Sequence, residues 1–232
     1  MNIFQVIRLG TVPYAQGLQQ QLRASHLVKN SLDGNNTRHI LLLLEHFPVY
    51  TVGIRSAVYS EQEEQRLKLL GADFHRTGIG GLVTFHGPGQ LVAYPICAIG
   101  KLSVEGGERG ASRVGVKRFV ELLEETIIDT AKRCGVVDAF RRSDAPGVYV
   151  KGRKVASVGV SFSGGISSHG IALNCTTDLA WFSHVIPCGL EGIEMTSLSK
   201  ERYQSLPVDE VAPIFVESFG TAFQASIEYL KD

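Results

Sequence analysis

The chain has 232 residues, 44% hydrophobic and 20% charged, with a formal net charge of zero. This suits one domain, or a tightly joined pair, with a sizeable core. The balance of charge argues against nucleic acid or an anionic membrane as partner. Cys97, Cys134, Cys175 and Cys188 show no CxxC spacing, which argues against a disulfide scaffold or a structural metal and points to a reducing compartment. The longest apolar run, residues 40–44, is too short to cross a bilayer, and the start lacks a secretory pattern, so a soluble intracellular protein is expected.

The first 32 residues hold Arg8, Arg23 and Lys29 and no acid, as a transit peptide would. Residues 3–9 nevertheless alternate like a strand and are read as part of the fold. Residues 14–32, opened by Pro13, space Leu18, Leu22 and the Leu27/Val28 pair as the inner stripe of a helix, which Asp33-Gly34-Asn35-Asn36 ends. Residues 40–44 have no polar alternation and predict a central strand covered on both faces, with a second strand over 49–54. Ser60-Glu61-Gln62-Glu63 is a capping box for a helix that stops at Gly71 with Leu67 and Leu70 inward.

After a glycine-dense stretch, residues 91–96 predict a strand, and 103–115 an exposed, mobile insertion without a motif. Val116, Phe119, Val120, Leu123, Ile127 and Ala131 repeat at helical spacing up to Cys134-Gly135, with Cys134 on or near the buried side. Runs at 148–150, 154–162 and 167–174 predict a three-stranded meander. Behind Pro207, the stripe Val211, Phe215, Phe219 and Phe223 closes the domain with a helix.

The glycine-dense stretch runs Thr77-Gly78-Ile79-Gly80-Gly81-Leu82-Val83-Thr84-Phe85-His86-Gly87-Pro88-Gly89-Gln90-Leu91. Its composition suits neither a helix nor an uninterrupted strand and predicts a binding loop, the alternative being a sharp strand-to-strand turn. It lacks the Gly-Lys-Ser/Thr ending and the glycine spacing of the common phosphate motifs.

Period-2 alternation over 154–162 places Lys154 with Ala156, Val158, Val160 and Phe162, opposite Val155, Ser157, Gly159 and Ser161. A lysine held on apolar surface is functional, salt-bridged, or a snorkelling strand-end residue. Cys188 lies between Pro187 and Gly189 in an expected turn that exposes it, whereas the other three cysteines read as inert and buried. A nearby ammonium such as Lys154 would raise its thiolate fraction. His86, His169 and His184 have no metal-ligand spacing, although a Cys–His pair stays open.

Three motifs together, Thr84-Phe85-His86-Gly87-Pro88-Gly89-Gln90, Lys154 followed by Ala156-Ser157-Val158-Gly159, and Pro187-Cys188-Gly189, resemble those of the lipoyl(octanoyl) transferase family, over roughly residues 5 to 200. The resemblance implies an α+β fold: a larger mixed sheet flanked by helices with a smaller sheet beside it, as in the catalytic domain of biotin and lipoate ligases. The strands of 3–135 would form the helix-covered part and 148–174 the meander. It implies Cys188 as nucleophile and Lys154 as its basic partner, with substrate bound by Ile79, Gly80, Gly81, Leu82, Val83, Thr84, Phe85, His86, Ser157, Val158, Gly159, Gly170, Ile171 and Ala172, together with His169 on the same strand. No cofactor and no metal are implied.

The implied reaction moves an octanoyl or lipoyl group from acyl carrier protein to a lysine of a lipoyl domain, such as the glycine-cleavage H protein or the E2 subunit of a 2-oxoacid dehydrogenase. No nucleic acid or membrane takes part, and a monomer is expected. Asn174-Cys175-Thr176-Thr177-Asp178 and Trp181-Phe182-Ser183-His184 resemble the animal members, which implies a mitochondrial location, or the cytoplasm for a bacterial chain. One departure is Ile79 before Gly80-Gly81, where the family usually has arginine; Arg76 is a candidate replacement. The rivals are an ATP-dependent lipoate or biotin ligase and a catalytically silent scaffold.

Overall fold

The structure is a computed structural model that describes residues 2–32, 37–54, 59–78, 82–105, 111–189 and 192–229, without the side chains of Ala111, Ser112 and Cys188. In chain order it comprises β1 (Asn2–Val12), α1 (Tyr14–Asn30), β2 (Arg38–His46), β3 (Val49–Val52), α2 (Glu61–Lys68), β4 (Asp73–Arg76), β5 (Val83–His86) and β6 (Gln90–Ile96). There follow β7 (Ser103–Glu105), β8 (Ala111–Arg113), α3 (Val116–Arg133), β9 (Ala139–Arg141), β10 (Val148–Val150), β11 (Arg153–Ser163), β12 (Ile166–Asn174), α4 (Leu198–Arg202), α5 (Val208–Ala222) and β13 (Ala225–Tyr229).

The main sheet has eight strands in the order β13-β1-β2-β6-β12-β11-β10-β9. It is mixed, because β1 runs parallel to β2 and β13 while the other neighbours are antiparallel. Strand β2 shows why it sits in the middle. Leu41 and Leu43 enter one core with α3 and α5, while Ile40, Leu42 and Leu44 enter the other with α1. Each such fully buried side chain contributes about 1.5–3 kcal/mol. The predicted stripe of α5 is buried as read, with Phe219 edge-on to Phe4 at 4.9 Å and stacked on Phe223 at 4.2 Å.

The meander forms as predicted, but β10, β11 and β12 belong to the main sheet. The smaller sheet is β4-β3-β5, built from residues 49–86 and closed by Leu67, Phe74 and Phe182. Two of its strands were not legible: β4 is short, with Phe74 its one apolar residue, and β5 lies inside the stretch expected to be a loop and is followed by a turn at Gly87–Gly89. Strand β3 ends at Val52 rather than 54 because the antiparallel pairing with β5 stops at Val52–Val83. Residues 103–105 and 111–113 pair as a small hairpin instead of an irregular insertion, anchored by buried Leu102, Val104 and Val114; residues 106–110 lie outside the described residues.

Two helix faces differ from expectation. In α2, Leu67 is buried but Leu70 is partly exposed, since the helix has ended at Lys68. In α1 the inner face is Tyr14, Gly17, Gln21, Ala24 and Val28, and the predicted Leu18, Leu22 and Leu27 point outward, Leu22 and Leu27 being about 60% exposed. The reason is close approach: a Cβ on Gly17 would lie 2.7 Å from Cε1 of the buried His46, so the helix lies on the sheet through its small residues. Gly17→Ala is therefore expected to lower unfolding free energy by about 1–3 kcal/mol. Leu22→Ala should stay within about 0.5 kcal/mol. Urea denaturation of the two variants checks this, and equal effects would refute the assignment of faces.

Candidate active site

A cavity opens where the small sheet faces the main one, with about 620 Å³ of space, its mouth included. Strand alternation decides what reaches it. On β5, Thr84 and His86 line the cavity, whereas Val83 and Phe85 turn away into the small core, where Phe85 stacks on Trp181 at 5.0 Å. Val83 and Phe85 are thus corrected from substrate contacts to core residues. Leu82, Ser157, Val158, Gly159, Gly170, Ile171 and Ala172 line the wall. Ile79, Gly80 and Gly81 lie outside the described residues.

The inner end is aromatic and polar, formed by Tyr14, His86, Tyr94 and His169. Tyr14 and Tyr94 escaped the sequence reading. Tyr94 alternates with Val92 on β6 and could have been read from that period, but Tyr14 arrives from the start of α1 and left no signal. Behind them His46 is fully buried, with Nδ1 3.1 Å from the Val12 carbonyl and Nε2 2.8 Å from the Tyr94 hydroxyl. A carbonyl only accepts, so Nδ1 carries the proton and Nε2 accepts from Tyr94.

His86 is oriented by a longer chain. The Asn174 amide nitrogen donates to the Thr196 carbonyl at 2.9 Å, so its oxygen accepts from Gln90 Nε2 at 2.9 Å. Gln90 then presents its own oxygen to His86 Nδ1 at 2.7 Å, which makes Nδ1 the donor and leaves Nε2 as an acceptor. Burial pushes His86 and His169 down to about 4 and His46 to about 3, so all three are neutral at physiological pH. The Tyr14 hydroxyl is buried with no hydrogen-bond partner among the described residues. A space of this kind, apolar-walled and ringed by uncharged polar groups, suits a neutral, mainly aliphatic ligand.

Lys154 is 3% exposed, but not on the face expected. The β10–β11 pairing slips by one residue, so that Val148 pairs with Ala156 and Tyr149 with Lys154. This bulge puts Val155 and Ala156 both in the main core, and strict alternation fails there. Lys154 shares its side with Tyr149, whose ring centroid is 5.6 Å from Nζ, and hence with Ser157 and Gly159 rather than with Val158, Val160 and Phe162. Its backbone is gripped on the side away from β10, where N donates to Glu194 O at 2.8 Å and O accepts from Thr196 N at 2.9 Å. Gly147, at φ +128°, leaves room for it: a Cβ there would lie 2.7 Å from Lys154 Cε. The Gly147 amide donates to Glu124 Oε1 at 2.9 Å, which places a buried carboxylate on the approach to the lysine; burial raises that carboxyl and the Lys154 charge lowers it.

Cys188 sits in a one-turn 3-10 segment, Pro187–Gly189, closed by Gly189 N donating to Ile186 O at 3.0 Å. Gly189 packs directly on the Leu82 side chain, so the turn borders the cavity mouth. The thiol itself lies outside the described atoms. The other three cysteines are buried, and burial pushes Cys97 up to about 12 and Cys134 and Cys175 upward, which disfavours their thiolate forms. Arg76, the candidate replacement for the missing arginine, is engaged with Glu64 at 3.2 Å and the Tyr59 carbonyl at 3.1 Å and stands off the cavity lining. His184 lies away from the cavity, its carbonyl accepting from Arg66. Among the described residues no three His, Cys, Asp or Glu side chains converge as a metal site.

Residues 18–220 match the family described as the lipoyl protein ligase A/B catalytic domain. The chain is 41% identical over 227 residues to the mitochondrial octanoyl-[acyl-carrier-protein]:protein N-octanoyltransferase of Danio rerio, covering 97% of this chain and 94% of that one. Against the Homo sapiens protein of that name it is 38% identical over 230 residues, covering 96% and 94%. Against an octanoyltransferase of Acidobacterium capsulatum it is 37% identical over 237 residues, covering 99% and 94%. Among solved structures, lipoate-protein ligase A bound with ATP superposes with a TM-score of 0.68 at 14% identity, over 100% of this chain and 90% of that one. The archaeal bi-partite lipoate protein ligase of Thermoplasma acidophilum gives 0.68 at 14%, over 100% and 88%. At such identity the structures speak for the fold alone, while the matched domain and the sequence relatives settle membership: the chain belongs to the lipoyl protein ligase A/B catalytic-domain family.

Proposed function

We propose that this chain is an octanoyltransferase that takes the acyl group from acyl carrier protein and passes it, through a thioester on Cys188, to a lysine of a lipoyl domain. The observation that carries this reading is the uncharged, apolar-walled cavity whose mouth borders the Cys188 turn, with buried Lys154 on the adjoining face. The relatives named as octanoyltransferases support the choice of acyl donor.

Lys154 as an ammonium holds Cys188 as thiolate. The sulfur attacks the carrier thioester carbonyl, and the oxyanion, held by backbone amides near Cys188, collapses to release the carrier thiolate, which takes a proton from the Lys154 ammonium and leaves Lys154 as the neutral amine. The lysine amine of the lipoyl domain then attacks the enzyme thioester. An amide forms, the C–S bond breaks, and the amine proton leaves by way of Lys154, regenerating the thiolate. Leu82, Thr84, His86, Ser157, Val158, Gly159, Gly170, Ile171 and Ala172 line the acyl site. The acceptors are lipoyl domains such as those of the glycine-cleavage H protein and the 2-oxoacid dehydrogenase E2 subunits, and the enzyme works as a monomer. The mitochondrial relatives favour the matrix as its location; fluorescence of a C-terminally tagged chain confined to the cytosol would refute that.

Incubation with octanoyl carrier protein, followed by intact mass, tests the nucleophile. The wild type is expected to gain one octanoyl group without ATP and to transfer it without releasing AMP, which separates it from an ATP-dependent ligase. Cys188→Ala should lose both adduct and transfer, and Cys97→Ala, Cys134→Ala and Cys175→Ala should keep them. Transfer by Cys188→Ala would end the mechanism.

The role of Lys154 is read from the pH dependence of Cys188 alkylation. Lys154→Met keeps an apolar stem and removes the charge, and is expected to move the profile up toward that of a free thiol near about 8.5. Lys154→Arg should keep a low alkylation profile but turn over slowly, because a guanidinium with a pKa above about 12 does not relay protons. A profile unmoved in Lys154→Met would assign the task to another group.

A further inference from the structure

His169 belongs to two cavities at once. On one side it lines the acyl cavity; on the other it lines a groove between α1 and the β11–β12 turn, about 940 Å³ with its open mouth included. That groove carries Leu18 and Leu22, the outward leucines of α1, together with His26 and Lys29. His169 is the residue that the linings of both spaces share, with the buried Gln21 beside it in the groove, and Gly170, next along the strand, brings its backbone close against the Ala93 carbonyl.

This shared residue is held under backbone strain. His169 adopts φ +61°, a left-handed conformation that a non-glycine residue takes only when its surroundings require it. Gln21 supplies the requirement: its Oε1 accepts from the His169 amide at 2.7 Å, and its Nε2 lies 3.5 Å from His169 Nδ1. The imidazole is thereby set edge-on against Tyr94, with centroids 5.8 Å apart and planes at 83°.

Resting on the reading of the inner cavity as the acyl site, we propose that His169 is the end wall that selects acyl length, and that the α1 groove accepts the tail of longer saturated chains once the wall is removed. An eight-carbon chain stops at the imidazole. A twelve-carbon chain must displace an imidazole that meets Gln21 at Nδ1, on a backbone whose amide is held by the same Gln21, and gains the apolar surface of Leu18 and Leu22 only if it does so.

The test is a competition between octanoyl and dodecanoyl carrier protein at equal concentration, read as the ratio of the two Cys188 thioesters by intact mass. The wild type is expected to favour octanoyl. His169→Gly, which also relieves the backbone strain, should shift the ratio toward dodecanoyl about tenfold or more, because each methylene given apolar contact favours binding several-fold. His169→Ala should shift it in the same direction by less. Adding Leu22→Trp, a substitution on the exposed face of α1, should fill the groove and return the ratio toward the wild-type value. A loosened cavity without a route into the groove would not respond to Leu22→Trp.

An unmoved ratio in His169→Gly, a shift indifferent to Leu22→Trp, or loss of both adducts in a variant that melts cooperatively would each overturn the proposal. The same ratio, taken from dissociation constants of free octanoate and dodecanoate in the Cys188→Ala background, tests the wall without the chemistry. A wild type that forms no thioester but shows the length shift in binding would therefore sink the proposed mechanism and leave the wall standing.

Discussion

Asn174 is buried where three distant segments meet, and its amide leaves little freedom to any of them. Its nitrogen donates to the backbone of Thr196, the segment that grips Lys154, and its oxygen takes a hydrogen bond from Gln90 at the end of the glycine turn. Gln90 in turn orients His86 on the small sheet. A buried amide with a partner missing costs about 1–3 kcal/mol, so the chain of bonds is stable as a whole or not at all. The small sheet, the meander and the 194–196 segment are thus registered on one another by polar contacts, which fix direction in a way that apolar burial does not.

The same desolvation that makes this network demanding sets the chemistry of the space beside it. Burial holds His46, His86 and His169 in the neutral form, and the protons of two of them are assigned by carbonyl and amide acceptors. The inner wall is polar enough to satisfy backbone and side-chain groups without placing an imidazolium against an alkyl chain. The charged lysine sits instead at the β10–β11 bulge, next to Tyr149 and within reach of Glu124. The neutral cavity and the lysine-bearing edge are thus kept apart in the fold.

Local sequence determined much of this. The apolar run of β2, the phenylalanine stripe of α5, the meander and the burial of three cysteines followed from periodicity and composition, because each depends on which face of a regular element meets water. The glycine turn, Lys154 and Cys188 were legible as places where the chain departs from those patterns, and departures of that kind mark sites.

Tertiary structure decided the rest, and the reason is the same in each case: a contact with a segment far away in sequence overrode a local rule. Leucine spacing placed Leu18 and Leu22 inside, yet the close approach of Gly17 to His46 turned α1 by enough to put them outside. Strict alternation put Lys154 among the valines, yet the slipped pairing with β10 sent it to the other face. Phe85 and Val83 stood within the motif, yet pairing with β3 turned them into the core of a second sheet that no single stretch announces. Tyr14 joined the cavity through α1 docking on the sheet, a placement with no sequence signature.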